Sequence, residues 1–330
     1  MAGAVKTIWR DSSPGAVDAD LAALWREAGK QGPVCRALMS NLVVVSPRRE
    51  FPDVEPLAQK HPARTILLSY TQARGDAAPP DTVRIGLRTF GEGDARCGLE
   101  LIAVHAPCAE RSIPSIVRRL IVGDVPTTVW WACDLSRPVP PEAVTTLGRQ
   151  LVYDSALWQD VHAGIAAATG LVERSPATNL ADLNWRRTRA LRDGLTRAFR
   201  TVKTTTPTQV SSARITHARG EAAAAWLIAG WLTARLNDAL DALPVVDERD
   251  AGALLTVALA GAGWTLTASM SSSQVDVKDG FPAFTVPVPQ ESEADSLASE
   301  LLNTTQNSGL RDALLALGRS AATRRGSSSS

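Results

Sequence analysis

The sequence predicts an α/β N-terminal domain on a mixed, mainly parallel sheet (residues 1–175) and an α+β C-terminal domain with an antiparallel meander (176–322), followed by a disordered tail at 323–330. Three observations lead there. Apolar runs such as NLVVVS and ARTILLSY hardly alternate, which marks strands buried on both faces. Up to about residue 175 such runs take turns with amphipathic segments, the pattern of a largely parallel sheet. Further on, four short alternating segments follow one another with turn signals between them, the pattern of a meander. A chain of 330 residues is long enough for two domains of ordinary size.

The elements follow in order. DADLAALWREAG (18–29) is a helix with Leu21, Leu24 and Trp25 on one side. RALMSNLVVVS (36–46) and ARTILLSY (63–70) are the buried strands, and RGDAAPPD (74–81) is a loop. TVRIGLRTF (82–90) sets Val83, Ile85 and Leu87 against Arg84, Gly86 and Arg88, so it is a half-buried strand. With GLELIAVHA (98–106) it forms an antiparallel pair at one edge. Ile113, Ile116, Val117, Leu120 and Ile121 share one helical face, with Pro114 in the first turn. TTVWWAC is a strand, PPEAVTTLGRQ a helix, LVYDS a short strand and ALWQDVHAGIAAATG a helix.

The character then changes. ADLNWRRTRALRDGLTRAFR (181–200) reads as one charged helix and TQVSSARITHA as a strand. GEAAAAWLIAGWLTARLND (220–238) is apolar almost all round, hence a buried central helix. ALLTVAL, WTLTASM, QVDVK and FTVPVP are the meander strands, with turns at GAG (261–263) and DG (279–280). WTLTASM puts Trp264, Leu266, Ala268 and Met270 on one face. ESEADSLASELLN and SGLRDALLALG are closing helices.

Composition narrows the function. The 35 basic and 34 acidic residues nearly balance, which argues against a general nucleic-acid binder. Ala222–Ala234, the longest uncharged apolar helical run, falls short of the roughly 20 residues of a membrane span. The N-terminus has no apolar core of signal-peptide length, so the expected location is cytoplasmic. Cys35, Cys97, Cys108 and Cys133 lack zinc spacing and are read as reduced thiols, with no metal site.

Catalytic signatures are missing. There is no GxGxxG, Walker A loop, HExxH or GxSxG, and the four histidines lie far apart. Asp154 and Ser155 end a strand before a helix: one of them is an N-cap, or they are polar groups at the carboxyl edge of the sheet, where such folds place ligands. His61 and Arg64 flank a strand start, either in a turn set by Pro62 or as an anion or partner contact. An enzyme built around His61, Asp154 and Ser155 is a third reading.

Two features point to contact surfaces. In VPTTVWWACDLS, Trp130 and Trp131 are adjacent, so a strand aims them at opposite faces. Either one packs inward while the other covers a surface or partner, or both are buried between domains. Treated as a single helix, 181–200 places Leu183, Leu191, Leu195, Ala198 and Phe199 on an apolar arc, with Arg186, Arg189, Asp193 and Arg197 outside it. Arg187 and Arg192 fall within the arc, and Trp185 lies near Arg192. These are domain-packing residues or partner contacts, since Trp and Arg dominate interface hot spots.

Together HPARTILL (61–68), IVGDVPTTVWWACD (121–134), LVYDSALW (151–158), DLNWRRTRALRD (182–193) and AAWLIAGWLTARL (224–236) resemble the OpcA family, the glucose-6-phosphate dehydrogenase assembly proteins of bacteria. The pieces stand in family order. Two departures stand out: Leu191 replaces a second tryptophan of the helix motif, and ACDLSRP replaces a segment that often runs into a glycine and prolines. The resemblance implies a non-enzymatic protein without cofactor or catalytic residues. It would bind glucose-6-phosphate dehydrogenase and favour its active oligomeric state, as an allosteric activator in the oxidative pentose phosphate pathway. Trp130, Trp131, Trp185, Arg187 and Arg192 are then the partner-binding candidates. The alternative is a sensor of a sugar phosphate or nucleotide at the carboxyl edge of the α/β sheet, with His61, Arg64, Asp154 and Ser155 as ligand or structural polar residues.

Overall fold

A computed structural model of the chain describes residues 6–46, 51–70, 82–91, 96–106, 112–137, 139–205, 209–250, 252–278, 283–303 and 305–327. The expected loop at 74–81, the DG turn at 279–280 and Cys108 lie outside these residues.

Among the described residues, nine strands make the first sheet. In spatial order eight of them are β1 (Lys6–Ser12), β5 (Thr82–Phe90), β6 (Cys97–Ala106), β4 (Ala63–Tyr70), β3 (Ser40–Ser46), β7 (Thr127–Trp131), β8 (Gln150–Tyr153) and β9 (Asn179–Asp182). A short β2 (Cys35–Arg36) pairs with β6. From β6 to β9 the strands run parallel, while β5 is antiparallel to both β6 and β1, which gives the mixed, mainly parallel sheet expected from the buried apolar runs. Strand order reverses at β3, which lies between β4 and β7.

Helices cover both faces. Val43, Val45, Ile66, Leu68, Val129, Trp131 and Tyr153 join a core with residues of α1 (Val17–Gly29), α3 (Ile113–Leu120), α4 (Glu142–Thr145) and α5 (Val161–Arg174). The opposite face, with Leu42, Val44, Leu67, Trp130 and Val152, packs on Leu57 of α2 (Glu55–Lys60) and on Leu297, Ala298 and Leu301 of α9 (Glu293–Leu302). An ion pair between Lys60 and Asp295 joins these two helices.

This two-sided cover settles the double tryptophan. Trp130 is 4% exposed and Trp131 is 0% exposed, on opposite faces of a central strand. The expectation that one of them covers a surface or partner is therefore corrected: α9, from the far end of the chain, closes the face that Trp130 occupies.

The second sheet has the order β11 (Val245–Glu248), β10 (Ser212–His217), β12 (Leu255–Gly261), β13 (Trp264–Met270), β14 (Gln274–Lys278) and β15 (Phe284–Pro287). From β12 to β15 it is the antiparallel meander expected, with Trp264, Leu266, Ala268 and Met270 all buried. Its inner side meets α7 (Arg189–Thr205) and α8 (Ala222–Leu236), and α10 (Ser308–Ser327) packs on α8 and α5. At Gly230 of α8 an added Cβ would stand 2.5 Å from the Ala313 carbonyl oxygen of α10, so these helices approach as only glycine allows.

Several elements differ from expectation. β1, β9 and β11 were not anticipated, and β9 extends the first sheet past residue 175. The expected helix at 181–200 is three pieces: β9, α6 (Leu183–Arg187) and α7, with a break at Thr188. α10 runs to Ser327, so the tail expected to be disordered from 323 is helical that far, and 328–330 lie outside the described residues. The reading of reduced thiols fails for one pair: β2 aligns Cys35 opposite Cys97 in β6, and the two form a disulfide. A separation of 62 residues hid that pairing.

Candidate functional site at the carboxyl edge of the sheet

β8 and β9 end side by side, and an aspartate at the end of each, Asp154 just after β8 and Asp182 closing β9, begins a turn or helix. Asp154 follows β8 and accepts the Ala156 N–H at 3.0 Å, capping a one-turn 3-10 segment. Asp182 caps α6: its Oδ1 accepts the Asn184 N–H at 2.9 Å and the Ser155 N–H at 3.0 Å. Asn184 Nδ2 donates to Ser155 Oγ at 3.1 Å. Of the Asp154–Ser155 pair, Asp154 is the cap, and the cross-link through Asp182 ties the two strand ends together.

Arg187 closes the group from outside. Its two terminal nitrogens donate to Asp154 at 2.9 and 2.7 Å, a bidentate pair. Trp185 is 1% exposed, and the Arg192 guanidinium lies 3.7 Å from its ring centroid. Arg192 also donates to the Trp185 carbonyl at 3.0 Å. The expected Trp185–Arg192 proximity is present, but as an internal stack; a buried indole is a packing residue, which corrects its placement among direct contact candidates.

The break at Thr188 explains an interchange of neighbours. Arg186, expected on the solvated face, has a side chain 19% exposed and bonds Glu291 and Glu300, whereas Arg187, expected inside, is 42% exposed. The Thr188 hydroxyl donates to the Trp185 carbonyl at 2.8 Å, and α6 there leaves the phase of α7.

Burial raises the Asp182 carboxyl, the nearby Asp154 charge raises it further, and it is pushed up to about 7. Its Oδ2 meets no donor among the described residues. Desolvation, then Asp182 and Asp154, likewise hold the buried Tyr153 phenol well above its ordinary value. The folded chain therefore keeps the Asp182 proton to about pH 7, while the unfolded chain loses it near pH 4. The folded state binds the extra proton between those values, so this residue's contribution to stability falls as pH rises from about 4 to about 7. Asp182→Asn is expected to remove that slope. In urea unfolding at pH 5 and pH 8, the variant should gain on the wild type by on the order of a few kcal/mol at the higher pH. Equal slopes would mean that Asp182 titrates elsewhere.

Asp154 and Arg187 border a cleft of about 580 Å³ between the carboxyl edge and the second sheet. Asp154, Asn184 and Arg187 line one side, Met270, Ser271 and Val288 the other, with Glu221 at the start of α8. Burial raises the Glu221 carboxyl, and Arg187 opposes that shift.

His61 and Arg64 are elsewhere. They stand at the start of β4, and Asp154 and Ser155 at the end of β8; in this parallel stretch those are opposite edges. The grouping of His61 with Asp154 and Ser155 is therefore not assembled. His61 is buried, its Nε2 is 2.8 Å from Ser40 Oγ, and burial lowers its pKa. Arg64 donates to Glu100 at 2.6 Å and to the Leu120 carbonyl at 2.7 Å. Glu100 also accepts from Trp25 and Arg36, each at 2.8 Å. Burial alone would raise the Glu100 carboxyl, but Arg64, Trp25 and Arg36 bring it below its ordinary value. This network ties Trp25 of α1, Arg36 of β2 and Arg64 of β4 to Glu100 of β6, and a lone acid in an apolar strand is the sequence signal that marks it.

Among the described residues, no helix is long and apolar enough to cross a membrane, and no cluster of three or more His, Cys, Asp or Glu side chains could hold a metal ion.

Comparison with solved structures finds distant likenesses in backbone shape. The super-repressor mutant of Gal80p from Saccharomyces cerevisiae is 9% identical, with 89% of this chain and 96% of that chain covered and a TM-score of 0.45. The transcriptional regulator Gal80p from Kluyveromyces lactis is 8% identical over 88% of this chain and 93% of that one, with a TM-score of 0.46. Apo scyllo-inositol dehydrogenase from Lactobacillus casei is 10% identical over 87% and 95%, with a TM-score of 0.40. Comparison with curated proteins finds no match. Two family models match, one for each end of a glucose-6-phosphate dehydrogenase subunit: its N-terminal domain at residues 54–169 and its C-terminal domain at 178–314. The two matches take in the double-tryptophan strand, the carboxyl-edge aspartates and the meander, and the chain belongs to the OpcA family of glucose-6-phosphate dehydrogenase assembly and subunit domains.

Proposed function

We propose that this protein binds glucose-6-phosphate dehydrogenase and favours its active oligomeric state, supplying no catalytic group of its own. The observation that carries the reading is the pair of family matches, N-terminal and C-terminal dehydrogenase-subunit domains in order over most of the chain. The mechanism is differential affinity. A binder that prefers the active oligomer shifts the equilibrium toward it, and by no more than the difference in its two affinities. Turnover or substrate requirement changes while the chemistry remains the dehydrogenase's.

Mixing the purified partners tests this. Size exclusion with light scattering should give a heavier species than either protein alone. NADP reduction in the mixture should show raised activity or a lowered requirement for glucose 6-phosphate. Separate peaks with unchanged kinetics at saturating amounts would end the proposal.

A second reading rests on the cleft. Its volume of about 580 Å³ suits a small polar ligand, and Arg187 faces it at the sheet edge where α/β folds bind ligands. On this reading the chain senses a sugar phosphate or nucleotide. Thermal unfolding of the chain alone with a panel of such metabolites separates it from the first reading; no shift with any member removes it.

A further inference from the structure

A second groove, of about 510 Å³, runs between α7 and α8. Arg192, Thr196, Phe199 and Arg200 line it from α7 at helical spacing. Trp231, Arg235 and Leu236 line it from α8, and Leu259 of β12 reaches it from the sheet.

Its charge is one-sided. Three guanidiniums face one carboxylate, Asp193. Arg186 and Arg187 nearby each have carboxylate partners, but among the described residues Arg192, Arg200 and Arg235 have none within ion-pair distance. Burial lowers the Arg192 pKa to about 10, with Arg189 and Arg235 adding to the effect against Asp193 and Asp182. A desolvated cation without a carboxylate is costly and gains from an incoming anion.

Spacing indicates the kind of anion. Arg192 and Arg200 are eight residues apart on α7, which is about 12 Å along the helix axis. That exceeds the reach of one carboxylate or phosphate group and matches three to four residues of extended chain. Half-buried Phe199 and Leu236 supply an apolar surface between the charges.

We infer that this groove docks an acidic segment of the protein partner, with its carboxylates paired to Arg192, Arg200 and Arg235 and an apolar side chain laid on Phe199 and Leu236. The inference rests on the assembly reading above and adds to it the surface and the chemistry of recognition.

The test uses the exposed pair, because Arg192 also supports Trp185. Binding of the full chain to glucose-6-phosphate dehydrogenase is measured by titration at two salt concentrations, for the wild type, R200E/R235E and R200Q/R235Q. Thermal unfolding confirms that each variant is folded. The expected result is salt-weakened wild-type binding, a loss on the order of tenfold or more in the charge-reversed variant, and a smaller loss in the glutamine variant. If the wild type binds and both variants bind equally well, the groove is not the docking site, while the assembly reading stands. If the wild type does not bind at either salt concentration, that reading fails and this inference falls with it. If inorganic pyrophosphate stabilises the chain alone, and the reversal abolishes that effect while dehydrogenase binding persists, the groove is a small-anion site and the docking proposal is overturned.

Discussion

Trp131→Ala is expected to lower folding stability by about 3–5 kcal/mol, the range for removing a buried tryptophan from a packed core. The indole is fully buried in the central strand β7, and its ring centroid lies 6.5 Å from that of Tyr70. Such a loss is a large share of the roughly 5–15 kcal/mol that holds a typical domain folded. Urea denaturation followed by circular dichroism measures it. A loss below about 1 kcal/mol would contradict the two-sided packing of β7. The variant also separates two roles of the double tryptophan: a core residue lowers stability, and once the chain is folded at low temperature its partner affinity should match the wild type.

Glu100→Ala is the second large effect, expected at about 3–5 kcal/mol because it leaves the buried Arg64 guanidinium only the Leu120 carbonyl and, at 3.9 Å, the exposed Asp18. Three donors converge on this carboxylate, from Trp25, Arg36 and Arg64. Glu100→Leu combined with Arg64→Met should recover most of the loss, since replacing both buried charges with apolar side chains is often neutral or stabilising. Unfolding midpoints for the single and double variants complete the comparison. If the double variant is no better than Glu100→Ala, the cost arises from lost packing and not from an unpaired charge.

Much of the fold was legible from hydrophobic period, although Arg88, on the face of TVRIGLRTF set against its apolar residues, is 3% exposed, so this strand is not half-buried as expected. ARTILLSY, TVRIGLRTF and WTLTASM read as strands and are strands, and the all-apolar segment around Ala222–Leu236 is the buried helix α8. What escaped depends on partners remote in sequence. β11 is four residues and exists by pairing with β10. β9 is also four residues, and the charged residues that follow it drew it into a single helical reading. The Thr188 break shifts the helical phase between α6 and α7, so Arg186 is the more buried of the two arginines and Arg187 the more exposed. At the site, a cap at Asp154 or Ser155 was readable from their position before a helical segment, but which of the two caps was not. The carboxyl-edge cross-link was not, because Asp182 and Ser155 are 27 residues apart. The fate of Trp130 was the least readable, because its cover arrives from α9, more than 160 residues downstream.

That late cover has a consequence for synthesis. β9 completes the first sheet at Asp182, but α9 begins at Glu293. At roughly 5–20 residues per second, a ribosome takes on the order of five to twenty seconds to make the intervening chain. During that interval the face with Leu42, Val44, Leu67, Trp130 and Val152 has α2 but not α9 to cover it. A chain truncated before Glu293 is expected to expose the part of that face that α9 covers, an apolar patch prone to aggregation.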